Sequence, residues 1–159
     1  MGSVQCLSFS RGSKFLAAGR ADGIVHVWDV KQQKCALQLT EHVGTVTSVA
    51  FTPDGQILAS SCMSGELLLH TTDAIKKAKL HSPSLAPITC LDFACQAVQD
   101  PVLACSTDAG LVHVWCLQDM TTGESFPNLH KGAAAAVRFA DGFGNLLHQR
   151  WSRRQLGPH

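Results

Sequence analysis

At 159 residues, 45% hydrophobic and 16% charged, the chain has the composition of an ordered core and not of a disordered segment. Residues 1–139 hold ten Lys and Arg against eleven Asp and Glu, within a whole-chain charge of +1, so no global field draws nucleic acid or an anionic membrane. No run reaches the ~18 apolar residues of a membrane span, and no basic-then-apolar opening reads as a secretory signal.

The first predicted element is an inner strand near 4–9, written Val4-x-Cys6-Leu7-x-Phe9. A turn at Arg11-Gly12-Ser13 follows, then an apolar strand near 14–19, a glycine turn, an alternating strand near 24–29 and an outer strand near 34–39. The plan then repeats. Val46-x-Ser48-Val49-x-Phe51 leads through Pro53-Asp54-Gly55 to Ile57-Leu58-Ala59-Ser60 and Gly65-Glu66-Leu67-Leu68-Leu69-His70-Thr71. Ile88-x-Cys90-Leu91-x-Phe93 leads to Val102-Leu103-Ala104-Cys105 and Gly110-Leu111-Val112-His113-Val114-Trp115-Cys116. A weakened fourth opening reads Ala134-x-Ala136-Val137-x-Phe139. Phe9, Phe51, Phe93 and Phe139 stand 42, 42 and 46 residues apart. A period of about 40–45 residues is one four-stranded propeller blade.

Alternation puts Val25 and Val27, Leu67 and Leu69, and Val112 and Val114 on one face of their strands, to be covered by a neighbouring sheet. One blade cannot bury that face alone, which is why such units stack radially into rings. The expected fold is therefore all-β: a partial propeller of about three four-stranded blades plus one strand, arranged as an open arc. The expected units are blades at 1–42, 43–81 and 82–130, the start of a fourth at 131–144, and an irregular basic tail at 145–159 expected to be disordered. The chain reads as a slice of a larger propeller whose remaining blades are missing. Its bare end faces are expected to drive self-association.

Reaction chemistry is thin. There is no Gly-x-Gly-x-x-Gly or Gly-Lys-Ser phosphate loop, no Gly-x-Ser-x-Gly elbow and no His-Glu-x-x-His. No enzyme, catalytic residue, cofactor or metal is expected. The seven cysteines form no Cys-x-x-Cys and fall on blade positions, so they read as small apolar fillers in a reducing compartment. The opening Met1-Gly2-Ser3-Val4-Gln5-Cys6 fails the myristoylation pattern, because Cys6 stands where Ser or Thr is required.

These segments resemble WD-repeat blades: Trp28-Asp29 and Trp115 keep the repeat's tryptophan, and histidines stand near the blade openings at His42, His81 and His130. The resemblance implies a buried network of a blade-opening His, a second-strand Ser or Thr, a turn Asp and the third-strand Trp. Its members here would be Asp22 and Trp28 in the first blade, His42 and Ser60 in the second, and His81 and Trp115 in the third. No blade is complete, since Ala18 and Cys105 take the serine slot, Ser64 an aspartate slot and His70 a tryptophan slot. His70 is expected against its own sheet near His42 and Ser60, without a metal. Propellers bind through their loops, which makes Arg20, Met63 and Thr107, between second and third strands, the candidate interaction residues.

The strand Ser64–His70, with Val25–Lys31, Glu41–Val49 and His130–Ala133, resembles the GCP-WD (Nedd) family over about residues 4–140. That resemblance implies a non-enzymatic scaffold in a factor that targets the γ-tubulin ring complex for microtubule nucleation. It implies cytoplasmic localisation at the centrosome and spindle, with components of these as partners, while the family's C-terminal region, credited with γ-tubulin binding, is not represented. The alternative is a substrate receptor of a cullin-type ubiquitin ligase, since Trp28-Asp29-Val30-Lys31 approaches the Trp-Asp-x-Arg docking motif.

Overall fold

The computed structural model describes residues 2–73, 77–82, 85–94, 101–117, 121–126 (backbone alone) and 132–139. The tail at 145–159 and His130 lie outside them. Twelve strands follow in order. The first sheet holds β1 (Val4–Phe9), β2 (Phe15–Arg20), β3 (Val25–Asp29) and β4 (Lys34–Leu39). The second holds β5 (Val46–Phe51), β6 (Ile57–Cys62), β7 (Glu66–Thr71) and β8 (Lys77–His81). The third holds β9 (Ile88–Phe93), β10 (Val102–Thr107), β11 (Val112–Cys116) and β12 (Thr121–Phe126). Each sheet is a four-stranded meander in sequence order, antiparallel throughout. The inner strands succeed one another, β1 beside β5 and β5 beside β9, which sets the blades side by side in an open arc.

The repeat is exact in register. Trp28 pairs with Leu16, His70 with Leu58 and Trp115 with Leu103, so His70 occupies the tryptophan slot of the second blade. Each inner strand carries its irregularity at one slot, between Val4 and Cys6, Val46 and Ser48, and opposite Ser106 and Thr107 in the third blade. In the second and third blades a threonine at that slot meets a serine across the ladder, Thr47 to Ser61 at 3.0 Å and Thr89 to Ser106 at 2.9 Å. The turns between second and third strands place Gly23, Gly65 and Gly110 at φ of 82°, 78° and 80°, which glycine adopts without steric cost.

The core lies between blades. Ala17, Val25 and Val27 of the first pack with Val49, Phe51 and Leu58 of the second. Leu67 and Leu69 of the second pack with Phe93, Leu103 and Trp115 of the third. Val102 and Val114 then meet Val137 and Phe139. The fourth-blade strand expected at 131–144 is not a ladder strand among the described residues. Residues 134–139 run beside β9 instead, with the Phe139 amide donating to Asp92 Oδ2 at 2.6 Å and the Ala134 amide to Thr107 O at 3.1 Å.

Candidate functional site

One end of the arc is built from the turns between second and third strands and the loops that open the next blade. Each turn is bonded to the opening loop of its own blade, the amides of Ala21, Met63 and Asp108 donating to the carbonyls of Ser3, Thr45 and Pro87 at 2.9, 3.0 and 3.0 Å, and the Thr45 hydroxyl reaches back to Ala21 O of the preceding blade at 3.1 Å. A Cβ on Gly23 would stand 2.5 Å from His42 O, and one on Gly65 2.9 Å from Ala86 O, so each turn presses against the following blade's loop. Onto this fixed backbone three large apolar side chains project into solvent: Val43 at 86%, Met63 at 55% and Leu85 at 69% exposed. Leu85 holds φ +53°, a left-handed conformation unusual for leucine, in a loop whose amide donates to Ser82 O at 2.9 Å.

Of the interaction residues expected from sequence, Met63 belongs to this surface. Arg20 is half-buried, its guanidinium donating to Gly2 O at 3.1 Å and to Asp22 Oδ2 at 2.6 Å. Thr107 is a correction, being wholly buried. Its amide donates to Leu111 O at 3.0 Å, its carbonyl accepts from Gly110 and Ala134, and its hydroxyl accepts the Leu111 amide at 3.2 Å. Arg20, Cys62 and Thr107 are the equivalent last residues of their strands, whereas Met63 is the first residue of its turn. Met63 therefore stands one residue beyond the slot that Arg20 and Thr107 share. Val43 and Leu85 were missed because exposure of an apolar loop residue leaves no periodic trace.

The network expected beneath the surface is assembled most fully in the second blade. His42 Nε2 lies 2.8 Å from Ser60 Oγ, both buried. His70 is 4% exposed, with Nε2 3.7 Å from Glu41 Oε1. Burial holds the His42 imidazole below its usual pKa, against the opposing pull of Glu66. His42 Nδ1 has no hydrogen-bond partner among the described residues. Ser64, expected in an aspartate slot of the network, holds its hydroxyl 2.9 Å from Cys62 Sγ.

Elsewhere the expected partners are apart. Asp22 turns outward to accept the Gly2 amide at 3.0 Å and the Arg20 guanidinium. Desolvation works against its charge, but these donors hold its carboxyl below the usual range. Trp28 is 42% exposed and tilted against His26, with ring centroids 6.5 Å apart. Trp115 is fully buried beside His113 at 6.0 Å. His81 needs a second correction. It ends β8 one residue beyond Leu80, the counterpart of Leu39 in β4, pairs with Glu66 and is exposed, so it opens no blade. Cys6 and Cys105 are held as thiols by burial, pushed up to about 11 and about 12. Among the described residues no helix is long and apolar enough to cross a membrane.

This geometry has known counterparts. The WD domain, G-beta repeat family matches residues 1–29 and 33–70. The β-propeller domain of Cps50 (Swd1) from Myceliophteria thermophila superposes with a TM-score of 0.70 at 22% identity, over 82% of this chain and 41% of that one. WD repeats thus lie within residues 1–70, and the described residues have the fold of part of a β-propeller. The chain resembles the NEDD1 proteins: 24% identity to the human protein over 136 residues, and 26% to the mouse protein. It is also 27% identical to Periodic tryptophan protein 2 of Arabidopsis thaliana over 129 residues. The chain covers 20% of the length of either NEDD1 protein and 14% of the plant protein, matching with 85% and 78% of its own.

Proposed function

We propose that this chain is a docking platform in a factor that places γ-tubulin ring complexes at the centrosome and spindle. The observation that carries the docking role is the apolar set Val43, Met63 and Leu85, exposed on loops whose backbone is bonded to the blades. Apolar side chains on rigid backbone bind with little ordering cost. The cellular role rests on the similarity to NEDD1 over 85% of the chain. Scaffold proteins of this kind work by presenting such a surface, not by chemistry.

Affinity purification of the tagged chain from dividing cells tests the reading. Recovery of centrosome or spindle components is expected, with loss of that recovery in the triple variant Val43→Asp, Met63→Asp, Leu85→Asp. All three positions are exposed, so the variant keeps the fold. Recovery of a cullin adaptor in their place, sensitive to change at Trp28 and Lys31, would transfer the chain to the ligase reading.

A further inference from the structure

We propose that His42, Cys62 and Glu66 form a zinc site at the loop end of the second blade. A ring nitrogen of His42, the Cys62 sulfur and a Glu66 carboxylate oxygen all lie within 4.8 Å of one another. Two of the three carry buried atoms that nothing else uses: His42 Nδ1 and Glu66 Oε2 lack hydrogen-bond partners among the described residues. His42 is 6% exposed and Cys62 fully buried. An orphaned polar atom at such depth costs free energy unless something occupies it.

The donor set of one imidazole, one thiolate and one carboxylate suits zinc, which takes N, S and O ligands at about 2.0–2.3 Å. Rotation of the Cys62 and Glu66 side chains closes the set onto an ion. The supporting contacts are in place. Ser60 engages His42 Nε2 at 2.8 Å, which leaves Nδ1 as the ligating nitrogen and fixes the ring plane. Lys79 holds the other carboxylate oxygen of Glu66 at 2.6 Å, and its half-exposed side chain is free to withdraw as the ion's charge arrives. Binding converts the Cys62 thiol to a thiolate and releases its proton to solvent. One position remains for water.

The other blades lack the set. At the slot of Cys62 they carry Arg20 and Thr107, and at the slot of Glu66, one residue beyond the turn glycine, Ile24 and Leu111. The ligands come from a loop, the end of β6 and the start of β7, so an ion would clamp three segments together. Val43 and Met63 follow His42 and Cys62 directly in the chain, which places the clamp under the exposed apolar surface.

The test uses the full chain with Zn2+ alone, then with Co2+ as a spectroscopic stand-in, after removal of bound metal. One zinc per chain is expected by equilibrium dialysis and mass spectrometry, with a near-ultraviolet thiolate-to-cobalt band. Cys62→Ser should abolish the band, and Glu66→Gln should weaken affinity by roughly tenfold or more. Cys35→Ala, at an exposed cysteine in another blade, should leave both unchanged. Circular dichroism of metal-free Cys62→Ser and Glu66→Gln verifies that they fold, so a lost site is not mistaken for a lost protein. Substoichiometric zinc in the wild type, cobalt binding without the band, or a band that survives Cys62→Ser would overturn the site. Partner recovery has no part in these readouts, so failure here leaves the docking role to its own experiment.

Discussion

The first and second blades open with the same phrase and meet opposite fates. Phe9 and Phe51 hold one slot, yet Phe9 is 57% exposed and Phe51 8%. Leu7 stands 61% exposed where its counterpart Val49 is buried. The second blade has the first to cover that face; among the described residues no blade lies against the same face of the first. A blade's apolar pattern therefore specifies which side chains await a neighbour, and burial is conferred by the neighbour alone. The same contrast separates Trp28 from Trp115.

The largest way to sharpen this comparison is truncation at matched slots. Phe51→Ala and Trp115→Ala should each cost about 3–5 kcal/mol in urea unfolding, while Phe9→Ala and Trp28→Ala should cost about 1 kcal/mol or less. Equal losses at Phe9 and Phe51 would mean that the bare face is covered in solution.

Self-association is the second. Leu7, Phe9 and Trp28 form an exposed apolar face, and the chain should elute above its 17.0 kDa monomer mass at micromolar concentration. Leu7→Glu with Phe9→Glu should move light-scattering mass toward the monomer, and an unchanged mass would locate the contact elsewhere.

Ser60→Ala should cost about 1–3 kcal/mol, because it strands His42 Nε2 in the core. The first blade already carries alanine at that slot, and Ala18→Ser should bring no comparable gain in unfolding midpoint.

The pH dependence follows in size. Burial depresses the folded-state pKa of His42 and of His113, so the unfolded chain takes up protons first as pH falls. The stability they contribute is complete above the ordinary imidazole value of 6.5 and declines below it. Glu66 is depressed by its Lys79 contact, and its contribution is lost in a separate window below 4.5. Unfolding midpoints taken from pH 7.5 downward should show the histidine step, and His113→Gln should diminish it. Smallest of all is Lys14→Ala, which removes a cation–π contact 4.8 Å from the Phe15 centroid and should shift stability by about 0.5 kcal/mol.

Much of the architecture was legible in the residues. Strands expected near 4–9, 14–19, 24–29 and 34–39 occur at Val4–Phe9, Phe15–Arg20, Val25–Asp29 and Lys34–Leu39. Period-two alternation between glycine turns allows little else, and the 42-residue interval carries the plan forward. His70 in the tryptophan slot was legible for the same reason. Less legible was anything that hinges on one residue at a turn. Arg20, Met63 and Thr107 read as equivalents, but Thr107 closes a strand and is bonded on every side. His81 read as a blade opener because histidine suited the role, and the ladder extends β8 through it. The cysteines read alike as fillers, yet the fold sets Cys62 beside two ligating groups.

The sequence by itself determined the repeat, the strand order and the two faces of each blade, because these follow from local periodicity and turn chemistry. Only the tertiary structure decided which faces are dry and which loop side chains stand in solvent. It alone brought His42, Cys62 and Glu66 together across 24 residues of chain. Burial and convergence are properties of neighbouring strands, and no local pattern records what a strand will find beside it.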